Sequence, residues 1–296
     1  HLSIRRQRQM CIRDRRPDTP FRVEASCAGS RIYHSGAAAQ RIETAIRETL
    51  GAPLAPEAEV VVMARIEDDI CTISVDTSGE PLHKRGYKQA LNPAPMRETM
   101  ASLFLRECGY DGAEPLVDPM CGSGTFVIEA AEIAARLNPG RARRFAFEQL
   151  VTLDAAAWGA MRGVNRQRAP AALSHGRDRD AGAIEMSRAN AERAGVAEGT
   201  AFRQAPISEI APPAGPPGLV IVNPPYGSRM GDPGKLAPLY GALGQTLLRR
   251  FGGWRVGIVT SEPRLAYETR LPFLPRGAPV PHGGLRVSLF RTGTLG

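Results

Sequence analysis

Between Pro115 and Leu137 the chain carries an apolar stretch ending in an acid, then a turn holding two glycines, then an amphipathic run. Few folds accept that order. Pro115 to Val117 reads as a strand, and Phe126, Ile128, Ala131, Ile133, Ala134 and Leu137 as the inner face of a helix from Thr125 to Leu137. The turn between them is Asp118-Pro119-Met120-Cys121-Gly122-Ser123-Gly124-Thr125. Gly122 and Gly124 let the backbone approach a ligand closely, and the free N–H groups of the helix start offer donors to a negative group.

Several ligands use such a turn. A nicotinamide fingerprint wants a third glycine where Val127 stands, and a phosphate-gripping loop wants Gly-Lys-Ser/Thr, which never occurs. Asp118 and the missing third glycine favour S-adenosylmethionine (AdoMet), with its carboxylate at the helix start. Taken alone, a Gly-Ser-Gly turn is more often only a tight turn.

A second string, Asn223-Pro224-Pro225-Tyr226-Gly227, ends the apolar run Leu219-Val220-Ile221-Val222, which reads as a buried parallel strand. Asn223 therefore stands at a strand's carboxyl end, where open α/β sheets bind ligands. Pro224 and Pro225 stiffen the backbone and lack N–H donors. The Asn223 side-chain oxygen and the Pro224 carbonyl can then accept both hydrogens of an exocyclic amine and aim its lone pair at a methyl group. Tyr226 either stacks on a flat substrate or packs on the sheet. The ordered pair of strings describes a methyl-transfer site. Such an amine is a weak nucleophile, so alignment and electrostatics supply most of the rate.

Between them, Gly176-Arg177-Asp178-Arg179-Asp180 precedes a helix from Ala181 to Ala194 stopped by Gly195. Asp178 is expected to hold the ribose hydroxyls, with Asp180 the alternative acid or a helix N-cap.

At these residues the chain resembles the bacterial 23S ribosomal RNA guanine-N2 methyltransferases that carry a THUMP RNA-binding domain, close kin of tRNA guanine-N2 enzymes. The matching residues include Ile32-Tyr33-His34-Ser35, Leu82-His83-Lys84-Arg85-Gly86-Tyr87, Ala94-Pro95 with Glu98-Thr99, Phe145-Ala146-Phe147-Glu148, and Asn190-Ala191. The resemblance implies an α/β fold, a Rossmann-like class I methyltransferase domain preceded by a partial α+β THUMP domain. It also implies AdoMet as cofactor and methylation of a guanine N2 in RNA, 23S rRNA being the expected partner. Asn223, Pro224, Pro225 and Tyr226 would be catalytic. Asp118, Pro119, Cys121, Gly122, Ser123, Gly124, Thr125 and Asp178 would bind the cofactor, with Thr99 beside it. Two departures stand out: Pro206 where an acid would bind the adenine amine, and His282-Gly283 where Asn-Gly is expected, read as a turn variant. Alternatives are a tRNA guanine-N2 methyltransferase, a protein glutamine N5-methyltransferase, whose N-terminal domain is helical, and a catalytically dead RNA-binding module.

The expected domains are 17–85 and 86–296. Residues 1–16 hold six arginines and one aspartate, five of the chain's net +8 charge, and read as a non-native leader. The first domain is expected as a strand Phe21 to Ser26, a helix Gly36 to Leu50 and a hairpin of Val60 to Ile66 with Ile70 to Asp76. Lys84, Arg85, Tyr87 and Lys88 are expected to contact RNA, with a solvated linker as the plain alternative. The segment from Asn138 to Ala172, with Arg143, Phe145, Phe147, Trp158 and Arg162, reads as a helical cap over the sheet and equally suits RNA. A helix from Pro95 to Cys108, a helix Leu236 to Phe251 and strands Val256 to Thr260 and Leu285 to Arg291 complete the pattern, the last pair antiparallel.

No run reaches the ~18 to 20 apolar residues of a membrane span, and no leader with a cleavage site is visible, so a cytoplasmic location is expected; the protein is also expected to be a monomer. Five cysteines without a C-x-x-C pair and five scattered histidines predict neither a disulfide framework nor a metal site. Cys121 lies inside the glycine loop, where its chemical alternative is a methyl-accepting thiolate.

Overall fold

The structure is a computed structural model that describes residues 18–89, 96–164, 167–226 and 233–296; the expected leader, Pro95 and Gly227 lie outside them. The chain runs β1 (Phe21–Ala28), α1 (Ser35–Leu50), β2 (Val60–Glu67), β3 (Ile70–Val75), α2 (Glu98–Glu107), β4 (Leu116–Asp118), α3 (Thr125–Ala134) and α4 (Ala155–Gly163). It continues β5 (Ser174–Asp178), α5 (Ala181–Ala194), β6 (Thr200–Gln204), β7 (Leu219–Val222), α6 (Pro233–Arg250), β8 (Arg255–Thr260), α7 (Pro263–Glu268), β9 (Val280–His282) and β10 (Leu285–Arg291). Two compact units result, meeting in sequence at Leu82/His83, and the insertion from Ala142 to Asn165 belongs with the first.

In the first unit β1 pairs in parallel with β2, and β2 turns back antiparallel into β3. The turn residues Asp68 and Asp69 take left-handed backbones at φ 49° and 60°, as a two-residue hairpin requires. His34 caps α1 by accepting from the Ala37 amide at 3.0 Å, and Gly51 ends it at φ 65°. Phe21, Ile46, Ala52 and Val62 form its core. The insertion extends this unit: the Phe147 amide donates to the Thr77 carbonyl at 3.0 Å and Arg143 to the Ser78 carbonyl at 2.6 Å. Phe147 and Trp158 pack edge to face at 4.8 Å. The segment expected as a helical cap over the sheet thus clusters with the first unit. The insertion's backbone and ring partners lie on the segment that follows β3 and on itself, although its sequence lies within the second domain's expected bounds.

The second unit is a seven-stranded sheet in the order β6-β5-β4-β7-β8-β10-β9, parallel except for β10 and β9. Chain direction out of β4 leads to β5 on one side while β7 pairs on the other, so the strand order reverses at β4. That reversal opens the crevice in which such sheets bind ligands. The apolar run of β7 feeds both faces by its period of two: Leu219 and Ile221 join Phe104, Leu105, Ile128 and Ile184 of α2, α3 and α5, while Val220 and Val222 join Tyr240, Leu243 and Leu265 of α6 and α7. His282 and Leu285 pair across Gly283 and Gly284, both at positive φ, so the turn variant closes a two-residue hairpin. This is a Rossmann-like α/β fold. Among the described residues no helix is long and apolar enough to cross a membrane.

Candidate active site

Asp118 ends β4 and is 2% exposed. Its carboxylate accepts the Met120 amide at 3.1 Å and so starts the turn. Burial pushes this carboxyl well above the usual carboxylate range, a shift opposed by the Met120 hydrogen bond and reinforced by Asp178. The next two glycines are left-handed, φ 53° at Gly122 and 83° at Gly124, and a side chain at 124 would strike Ser187 at 3.1 Å. Gly124 caps α3 with no side-chain hydrogen bond, leaving the helix-start amides without a capping side chain. That is the donor set a carboxylate needs.

Asp178, one strand over at the end of β5, accepts the Gly122 amide at 3.0 Å through one oxygen and the Asp180 amide at 3.0 Å through the other. The structure thus joins Asp178 to the glycine loop across two strand ends. Asp180 instead caps α5, accepting the Gly182 amide at 3.0 Å. Its helix-capping reading describes it.

Two residues of α5 to which the sequence assigned no site role hold the loop from behind. Ser187 donates to the Gly122 carbonyl at 2.8 Å, and Asn190 donates to the Ser123 carbonyl at 3.0 Å. Both are fully buried. The available signal was two polar residues, three apart, on the apolar stripe that carries Ala183, Ile184, Ala191 and Ala194. Cys121 points into the same core, with its sulfur 3.8 Å from Ser187. Burial raises its thiol well above the usual range, which keeps it protonated and removes the methyl-accepting thiolate as a role. Its side chain is consequently a packing group, and only its backbone borders the turn.

On the neighbouring strand, Asn223 follows β7 directly. Its side-chain oxygen is buried and has no hydrogen-bond partner among the described residues. A buried acceptor without a donor costs about 1–3 kcal/mol unless a ligand supplies one. Tyr240, fully buried on α6, donates to the Pro225 carbonyl at 3.2 Å and thereby fixes the Asn-Pro-Pro segment. Among the described residues the Pro224 carbonyl accepts no hydrogen bond. Tyr226 is partly buried and packs against both apolar clusters. Burial pushes its phenol up to about 12, so it is no base near neutrality.

The expected RNA-contact run is corrected at three of its four positions. Arg85, with a side chain 6% exposed, pairs with Glu129 at 3.0 Å and Glu132 at 2.6 Å. The Tyr87 hydroxyl donates to Glu129 at 3.3 Å, and Lys88, 7% exposed, pairs with Glu98 at 3.5 Å and donates to the Met96 carbonyl at 2.7 Å. These groups line the inside of α2 and α3, not a surface that RNA can reach. Lys84 alone is exposed. Thr99 is half-buried on the first turn of α2, next to the buried Glu98. Pro206 stands exposed just past β6, and the adjacent Ala205 amide is taken by the Asp178 carbonyl at 2.8 Å.

The chain is similar to several known proteins. Ribosomal RNA large subunit methyltransferase K/L of Vibrio campbellii is 38% identical over 218 residues, 70% of this chain and 30% of that protein. The chain therefore spans less than a third of that relative's length. A possible methylase from Clostridium difficile 630 superposes with a TM-score of 0.80 at 30% identity, covering 96% of this chain and 75% of the other. SMU.472, a methyltransferase complexed with SAH, gives 0.78 at 26% identity over 92% and 74%. Residues 85–270 match the family described as RMKL-like, methyltransferase domain, and the chain belongs to that family.

Proposed function

We propose that the chain is an AdoMet-dependent RNA methyltransferase that acts on the exocyclic N2 of a guanine, with 23S rRNA as substrate. The observation that carries the reading is the buried, partnerless Asn223 oxygen at the end of β7, beside the strand that leads into the glycine loop.

The residues present fit the cofactor. The uncapped start of α3 suits the methionine carboxylate, and the Asp178 carboxylate at the next strand end suits the ribose hydroxyls. The relative complexed with SAH, which differs from AdoMet by the methyl group, supports the same choice. AdoMet supplies an electrophilic methyl on a sulfonium. The protein's own part is to hold the amine: Asn223 and the Pro224 carbonyl accept its two hydrogens, and the rigid prolines keep those acceptors in place. The buried Tyr226 and Tyr240 phenols, both pushed to about 12, leave no phenolate to act as base. Alignment then carries the reaction, and the amine sheds its proton only as the methyl transfers.

RNA is preferred over a protein glutamine because the first unit is strand, helix, strand, strand, and not helical. This unit is read as part of a THUMP domain. The name of the Vibrio relative supports ribosomal RNA of the large subunit. The test is incubation with methyl-labelled AdoMet and protein-free 23S rRNA, tRNA and assembled subunits, followed by mapping of methylated bases. N2-methylguanine in 23S rRNA is expected. Labelled adenine, labelled tRNA alone or labelled protein would overturn the substrate assignment.

A further inference from the structure

Arg193, on the last turn of α5, reaches two acceptors at once. Its Nε donates to the Tyr87 carbonyl at 2.7 Å, and its Nη2 donates to the Asn190 side-chain oxygen. Asn190 in turn donates its Nδ2 to the Ser123 carbonyl at 3.0 Å, inside the glycine loop. Ser187, Asn190 and Arg193 lie three residues apart along the helix, so they share one side of it.

The two ends of an asparagine amide are alike in shape and opposite in polarity. Which end faces the Ser123 carbonyl depends on what faces the other. An arginine has five N–H donors and no acceptor, so beside it only the oxygen of Asn190 is stable, and the Nδ2 end must turn to the loop. In the flipped amide two oxygens would meet at Ser123 in a fully buried site, and one carbonyl would lose its only donor there. The Tyr87 carbonyl in turn aims the guanidinium. Tyr87 is itself anchored, 3% exposed, with its hydroxyl on Glu129.

We infer that Arg193 is a positioning residue for the cofactor loop: by fixing the amide of Asn190 it holds Ser123 and the helix-start amides in their ligand-ready geometry. Among the described residues the Arg193 side chain makes no hydrogen bond to the loop itself and acts through Asn190. The inference rests on the AdoMet reading of that loop.

The test is calorimetric titration of SAH into the full chain, wild type and variants, with thermal melting of each. Arg193→Ala should weaken SAH by about 5- to 10-fold, the loss expected of one oriented hydrogen bond. Melting should also fall, because the change leaves the Tyr87 carbonyl and the buried Asn190 oxygen without this donor, so the lysine variant and the Asn190→Ala background carry the distinction. Arg193→Lys also presents donors only, so it keeps the amide orientation and should recover SAH binding to within about threefold. In an Asn190→Ala background the same Arg193→Ala change should have less than about a twofold effect, since its route to the loop is gone. Wild-type affinity in Arg193→Ala overturns the inference, as does a full effect persisting without Asn190. Should Asn190→Ala fail to fold, the alanine and lysine variants at 193 decide: equal losses in both point to bulk or charge and overturn it. A wild-type chain that binds no SAH instead removes the AdoMet reading, and the inference falls with it.

Discussion

Tyr240 donates its hydroxyl to the carbonyl of Pro225 at 3.2 Å from a fully buried position on α6. The same hydroxyl lies 3.4 Å from the Thr260 side-chain oxygen on β8, so one phenol links a helix, a strand and the Asn-Pro-Pro segment. Tyr240→Phe keeps the ring and leaves the Pro225 carbonyl without its donor. It should cost ~1–3 kcal/mol of stability. Turnover should fall further than cofactor affinity, read from initial rates beside SAH titrations.

Asn223→Ala should leave AdoMet binding nearly intact and lower turnover by at least ~100-fold, because an acceptor that aligns the amine acts mainly in the transition state. Single-turnover methylation with bound RNA checks this. Wild-type rates would remove Asn223 from the site.

Asp178→Ala removes both the proposed ribose acceptor and the Gly122 partner, and should weaken AdoMet by ~1–3 kcal/mol. Asp178→Asn keeps an oxygen for the Gly122 amide and drops the charge. Retained loop geometry with weakened binding in the asparagine variant, seen by calorimetry beside amide chemical shifts, separates ligand contact from loop support.

Arg85→Ala removes the guanidinium shared by two buried acids on the helix that starts at the glycine loop, leaving Glu129 with only the Tyr87 hydroxyl and Glu132 with Arg141. Breaking such a pair costs about 3–5 kcal/mol. Urea unfolding should show the loss directly. An arginine that only touched RNA would leave the unfolding midpoint where it was.

Glu129 carries a pH signature. Burial raises its carboxyl from 4.5 to about 8, against the opposing pull of Arg85 and with added repulsion from Glu132 and Glu98. The folded state therefore keeps a proton that the unfolded state has lost between those values. Stability tied to this proton is complete below pH ~4.5 and is lost as pH rises through about 8. Glu129→Gln should flatten that slope in unfolding free energy measured from pH 5 to 8.

Sequence patterns reached the elements whose local rules are strict. α5 and β10 have the expected limits, and the two strings at 118–125 and 223–226 stand at adjacent strand ends because a parallel α/β sheet leaves them nowhere else. Short-range pattern could not show which body a segment packs on, so the insertion holding Phe147 and Trp158 was misplaced. Nor could it show that Arg85 and Lys88 turn inward, since a charge run looks the same whether water or a buried carboxylate neutralises it. α7 and β9, at six and three residues, are too short for periodicity to register. Ser187 was legible only as an exception on an apolar stripe and Asn190 only as part of the family resemblance, and their meaning comes from the glycine loop they touch.

The insertion makes the boundary between the two units one that the polypeptide crosses at Leu82/His83, Arg141/Ala142 and Asn165/Arg166. Neither unit is thus a continuous stretch of gene. A truncation at residue 82 would orphan the aromatic trio of Phe145, Phe147 and Trp158 on the remaining half, shorn of the Thr77 and Ser78 carbonyls that receive the insertion's donors. A recombination event that exchanges the front of this chain must carry two separated segments or rebuild the seam, so its two units are less freely interchangeable than their order along the sequence suggests.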